Sequence, residues 1–186
     1  MLVFVDESGR TEAGGIYVVA AVAIRVASID RLRTRIRAVP PSPRRIHWRH
    51  EAPNERVAVL ELLATEADVA ALWSFETCPC PVVRQERARR KSLELLALAI
   101  HGLGGGELVI ESRQERNDRK DRQLFASVER SGLVDRVFHQ HQRPAAEPGL
   151  WLADCLAGAV SGSLAGLAGR EIMLLADRLQ RQQIVI

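Results

Sequence analysis

Hydrophobic residues fall first into short unbroken runs and later at helical spacing. Residues 2–5 form an apolar run that stops at Asp6-Glu7-Ser8-Gly9, as a buried strand does when it opens into a polar turn. A second run, rich in Val and Ile, occupies 16–26. The gap between them is too short for a parallel crossover, so the pair forms an antiparallel hairpin. Ser28 can cap a helix over 30–39, which Pro40-Pro41-Ser42-Pro43 ends. Pro53 suits the first turn of a helix, whose apolar face of Val57, Leu60, Leu63 and Ala64 runs on to residue 65. A third strand follows over 68–75, and 84–101 reads as an amphipathic helix with Leu93, Leu96, Ala97 and Ile100 on one face. Residues 107–111 (ELVIE) are a fourth strand; Leu124, Phe125 and Val128 mark a short helix; 134–139 is a fifth strand. Two helical stretches, 150–169 and 170–182, close the chain. A hairpin followed by helical crossovers predicts an α/β fold with a mixed sheet flanked by helices, as a single domain over residues 1–186.

Composition narrows this without redirecting it. With 47% apolar and 26% charged residues in 186, the chain is neither a disordered nor an all-membrane one. Cys78, Cys80 and Cys155 make no disulfide framework. The start, MLVFVDESGR, has no basic run before an apolar core, so a cytoplasmic location is expected. Residues 150–169 are long enough to span a bilayer. They are rich in Gly, Ala and Ser, however, and they carry Asp154, which costs about 2.5–3.5 kcal/mol near a membrane centre. A buried helix of a globular fold is the expectation, with no membrane partner.

The basic side is nearly all arginine: 24 Arg against Lys91 and Lys120, for a net charge of +3. Arginine grips phosphate bidentately, although genome base composition produces the same bias. Arg44, Arg45 and Arg49 share a Pro-bounded loop with His47 and Trp48, which offers phosphate contacts beside a stacking ring. Arg84, Arg87, Arg89, Arg90 and Lys91 read as the solvated face of a helix. His139 and His141 lie on one side of an extended segment, where they are either phosphate contacts or exposed loop residues. His47 and His50 with Cys78 and Cys80 have zinc-binding side chains at a spacing unlike a zinc knuckle.

The acids are more pointed. Asp6 and Glu7 end the first strand, Glu111 ends the fourth, and Asp154 is the sole charge in a long apolar stretch. A lone carboxylate there is costly unless it is paired, hydrogen-bonded or cation-bound. Gly158, Gly162 and Gly166 follow Asp154 at steps of four, a thin ridge that lets the helix lie close to its neighbour. Two strand-end acids and one helical acid suit Mg²⁺ or Mn²⁺.

VFVDESGR, the hairpin after it and LWLADCLAGAV together resemble the domain-of-unknown-function family numbered 3800, which is similar to the ribonuclease H-like superfamily. The resemblance implies a five-stranded mixed sheet with its first three strands antiparallel. It also implies a metal-dependent nuclease-like centre with Asp6, Glu111 and Asp154 as metal ligands and Glu7 as a further catalytic acid. The expected function is cleavage of phosphodiester bonds in RNA or DNA with two bound ions. Arg44, Arg45, His47, Trp48, Arg49, His139 and His141 are the expected nucleic-acid contacts. An inactive relative that binds nucleic acid or protein, a small-molecule phosphodiesterase or phosphatase, and a homodimeric assembly stay open at this stage.

Overall fold

Strand β1 (Leu2–Arg10) turns back into β2 (Ile16–Ile24), and the two pair antiparallel along their whole length. The structure, a computed structural model, describes residues 1–11, 15–39, 46–167 and 171–186. Helices α1 (Ile29–Ala38) and α2 (Pro53–Thr65) lead to β3 (Val69–Thr77), antiparallel to β2. Helix α3 (Gln85–Gly102) returns the chain to β4 (Glu107–Glu111), parallel to β1. Helix α4 (Glu115–Arg130) leads to β5 (Phe138–Gln142), parallel to β4. Helix α5 (Gly149–Leu164) and a short 3₁₀ turn precede β6 (Leu179–Gln183), parallel to β3. The sheet order is β5-β4-β1-β2-β3-β6.

Strand alternation divides the core in two. Phe4, Val18, Ala20 and Val22 face α1, α2 and α5. Val3, Val5, Val19 and Ala21 face α3 and α4, where Leu93, Leu96, Phe125 and Val128 meet them. The first three strands are antiparallel, as expected, but among the described residues the sheet has six strands rather than five. The extra strand, β6, occupies a stretch expected to be helical. Its side chains LQRQQ carry no apolar stripe, and partners on β3 fix it: Trp73 Nε1 donates to Gln180 Oε1 at 3.0 Å, and Arg181 Nε to Glu76 Oε1 at 2.6 Å. Helix α4 begins well before its first large apolar residue, because its opening turns are charged. β5 lies later than expected, since Val134 and Val137 are buried under the α3–α4 face while pairing to β4 starts at Phe138. Among the described residues no helix is long and apolar enough to cross a membrane.

The glycine ridge is shorter than its spacing implied. Gly162 is buried, but Gly166 has φ +72°, and a side chain there would meet nothing within 4 Å. Gly166 therefore lies in the turn that ends α5 and takes no part in helix packing. Gly158 is the close approach: a Cβ there would lie 2.2 Å from Cγ of Trp48. Gly158→Ala is expected to lower stability by about 1–3 kcal/mol, the usual cost of overpacking. A urea unfolding series checks it, and an unchanged midpoint would show that the indole moves aside freely.

Candidate functional site

Beside β1 the sheet has a notch. β4 pairs with β1 only as far as Val5 opposite Ile110, whereas β1 stays paired with β2 through Arg10. The β4-facing edge of β1 is therefore open from Asp6 onward. Because side chains alternate, Asp6 points to the α5 side of this gap and Glu7 to the α3 side. A cavity of about 290 Å³ occupies the notch, lined by side chains from both sides of the sheet. Asp6, Glu111, Asp154 and His47 line it on one hand, and Glu7, Arg89 and Arg113 on the other.

Asp154 is buried in α5, beyond the helix's first turn, so the helix field does not account for it. Hydrogen bonds do. Its Oδ2 accepts the backbone N–H of Trp48 at 2.8 Å and lies 3.0 Å from His47 Nδ1. Gly158 sits one turn on and admits the Trp48 indole, so the small residue in α5 sets where the Trp48 N–H can reach. Asp6 Oδ1 accepts the N–H of Glu7 at 2.7 Å. Burial pushes the Asp6 carboxyl well above its ordinary value, and a hydrogen bond and charge from Glu111 and the charge of Asp154 push the same way. The charge of Arg89 acts against them. A buried carboxyl among like charges is stabilised by a proton or by a cation.

On the other wall, Glu7 forms an ion pair with Arg89 Nη1, and Arg113 Nη1 lies 3.9 Å from it. Arg89, on α3, is only 2% exposed, and its Nε and Nη2 bind Asp121 of α4 in a bidentate fork at 3.1 and 2.8 Å. His141 Nε2 lies 3.1 Å from the same carboxylate. Burial pushes Asp121 up, but hydrogen bonds from His141 and Arg89 and the charges of Arg89 and Arg113 outweigh it and hold the carboxyl well below the usual range. Asp118, one turn earlier, accepts the Ser112 hydroxyl at 2.7 Å and the Arg113 N–H at 3.0 Å.

Asp118, Asp121 and His141 present ligand atoms that all lie within 4.8 Å of one another, a group that could coordinate a divalent metal. Among the described residues the Asp6–Glu111–Asp154 trio is not so tightly drawn. Arg89 and Arg113 neutralise the Asp121 group, while Glu111 and Asp154 place negative charge beside Asp6.

The expected nucleic-acid residues fare unevenly. Trp48 is 3% exposed, packed over Gly158 and capped by the Arg56 guanidinium 4.9 Å from its ring centre, so it offers no face for base stacking. His141 is committed to Asp121, and His139 places Nδ1 3.0 Å from the Val137 carbonyl with its ring against Phe125. Those two histidines thus support the α4 side rather than reach for phosphate. Arg49 is exposed, its Nη2 donating to the Gly9 carbonyl at 3.0 Å. Arg44 and Arg45 lie outside the described residues. His47 and His50 stack edge to face 4.9 Å apart, without the cysteines joining them in a metal group among the described residues.

Arg89 and Arg113 were not among the expected site residues. For Arg89 a signal existed: it stands four residues before Leu93 on the apolar stripe of α3, where a solvated charge has no place. For Asp118 and Asp121 the i, i+3 spacing was the available cue.

No family model matches the chain, and no curated protein does, so the narrower resemblance to the family numbered 3800 gains no support. Among solved structures, the chain is similar to one described as the PCNA:RNase HII complex from Archaeoglobus fulgidus. The TM-score is 0.60 and the identity 18%, over 89% of this chain and 74% of that one. At that identity the likeness speaks to architecture, and with the sheet order above it shows that this chain has a ribonuclease H-like α/β fold.

Proposed function

We propose that the chain is a divalent-metal-dependent nuclease that hydrolyses phosphodiester bonds in RNA or DNA at the notch beside β1. The observation that carries this reading is the meeting of Asp6, Glu111 and Asp154, from β1, β4 and α5, around one cavity in which Asp6 is buried among like charges. Hard carboxylate oxygens suit Mg²⁺ or Mn²⁺. When bound, such an ion supplies Lewis acidity and lowers the pKa of a coordinated water. The residues do the rest. The Trp48 N–H and His47 hold the Asp154 carboxylate in orientation, and Asp6, Glu111 and Asp154 would be the carboxylates that hold the ion. Arg49, exposed and bonded to β1 through the Gly9 carbonyl, would hold flanking phosphates. Glu7, engaged by Arg89, is left out of the ligand set, so a pair of ions would lack a fourth carboxylate.

The test incubates the purified protein with labelled single- and double-stranded RNA and DNA in Mn²⁺, in Mg²⁺ and in chelator. Cleavage in either metal and none in chelator is expected. Cleavage that survives chelation overturns the metal mechanism, and tight binding without cleavage of any substrate favours an inactive binder.

The protonation of Asp6 makes a separate prediction. Its folded-state pKa is raised above the ordinary 3.8, so the folded protein binds more protons than the unfolded chain between the two values. Stability contributed by this group therefore falls as pH rises through that window. A divalent ion reverses the penalty. The gain in Tm on adding Mg²⁺ is thus expected to be larger at pH 8 than at pH 5, a comparison that calorimetry or dye-based melting can make. Equal gains at both values would count against the acids as the ion's site.

A further inference from the structure

The cavity has two chemically different walls, and only the carboxylate wall is used by the function proposed above. The other is cationic. Arg89 reaches it from α3 with its guanidinium almost wholly buried, and Asp121 grips its Nε and Nη2 from behind, so Nη1 has one direction left, into the notch. Arg113 stands beside it, fixed by Glu86 at 3.3 Å and Asp121 at 3.4 Å. Its Nε is buried without a hydrogen-bond partner among the described residues. The carboxylate now lying against this pair is Glu7, which is 23% exposed and belongs to the notch itself.

From this geometry we infer that Arg89 and Arg113 form an anion subsite that takes one phosphate group of the substrate, and that the Glu7 carboxylate occupies it when no substrate is present. A carboxylate is the nearest side-chain mimic of a phosphate's paired oxygens, and two fixed guanidinium groups are the donors that read such a pair. Glu7 leaves the pair, its oxygens are replaced by two phosphate oxygens, and no covalent bond changes. The notch explains why the arrangement needs both faces of β1. A backbone lying across it meets the metal-binding acids on the Asp6 side and the arginines on the Glu7 side. The inference rests on the nuclease reading for the identity of the phosphate, but the subsite can be tested apart from catalysis.

The experiment measures binding of inorganic phosphate, in chelator and without metal, by ³¹P line broadening and by the shift in Tm. Four variants are compared with wild type: Arg113→Gln, Arg113→Lys, Glu7→Gln, and Arg37→Gln as a control for net charge on the distant helix α1. Arg113→Gln is expected to bind about tenfold more weakly, the loss of one charge-assisted hydrogen bond. Arg113→Lys should fall between it and wild type, since it keeps the charge and loses the fork. Glu7→Gln should bind several-fold more tightly, because the resident competitor has lost its charge, and Arg37→Gln should match wild type. If Arg113→Gln and Arg37→Gln weaken binding equally, or if Glu7→Gln binds no better than wild type, the subsite is overturned. The two readings fail differently. Phosphate binding that follows the expected order in a protein that cuts no nucleic acid keeps the subsite and removes the nuclease. Metal-dependent cleavage with phosphate binding indifferent to Arg113 and Glu7 does the reverse.

Discussion

Asp6→Asn is expected to abolish cleavage while leaving a protein that folds at least as well as wild type. The two effects have one cause. Asp6 is 7% exposed, and its charge is opposed by burial and by Glu111 and Asp154. Converting the carboxylate to an amide removes the charge a cation needs and also removes the repulsion that the metal-free protein suffers. Loss of activity should reach at least about 1,000-fold, which corresponds to about 4 kcal/mol of transition-state stabilisation. In chelator the Tm of the variant should exceed that of wild type, and by more as pH rises, since the wild-type penalty grows as Asp6 ionises. The Oδ1 acceptor for the Glu7 N–H survives in the amide, so the backbone of the notch is kept. Single-turnover assays in Mn²⁺ together with melting curves from pH 5 to pH 8 decide the matter. A variant that cuts as fast as wild type removes Asp6 from the mechanism. One that melts well below wild type at pH 8 shows that the buried charge was supporting the fold.

The acids were readable because each breaks a local rule. Asp6 and Glu111 each follow an apolar run, and Asp154 interrupts an apolar helix, so pattern alone marked all three, although Asp6 proves to lie within β1, which pairing with β2 carries on to Arg10. Their common cavity depends on strand order, which no local pattern contains: β4 crosses over to pair with β1 and stops short, and the stop makes the notch. Trp48 shows the opposite failure. An aromatic among arginines looks like a nucleic-acid contact, yet its ring fills the space left by Gly158, and its backbone N–H serves the site through Asp154. Pairing decided β6 in the same way, through Trp73 and Glu76 on the neighbouring strand rather than through any periodicity of its own. Arg89 was misjudged because a basic run conceals its one buried member. Its position relative to Leu93 was the only local clue.

That buried member gives the second large effect. Arg89→Met is expected to cost about 3–5 kcal/mol, the usual loss when one partner of a buried ion pair is removed. Arg89 and Asp121 are each 2% exposed, and Glu7 shares the same guanidinium. Methionine fills much of the volume, so the loss measures the abandoned carboxylates rather than a cavity. Two further measurements separate this cause from general disruption. In wild type, Asp121 is held well below its ordinary 3.8, so its contribution is present above that pH and is lost as acid is added. The variant lacks the part of that contribution that Arg89 supplies, while His141 and Arg113 keep theirs, and the gap between variant and wild type should therefore narrow as pH falls below 3.8. In the double variant Arg89→Met/Asp121→Leu, both members of the pair become apolar and much of the stability should return. Arg113 keeps Glu86 and Glu7 as partners in that background, so it is not left stranded by the second change. A double variant no more stable than Arg89→Met, with a gap constant in pH, would mean that the methionine fails by its shape and that the α3–α4 side is not held by this buried charge pair.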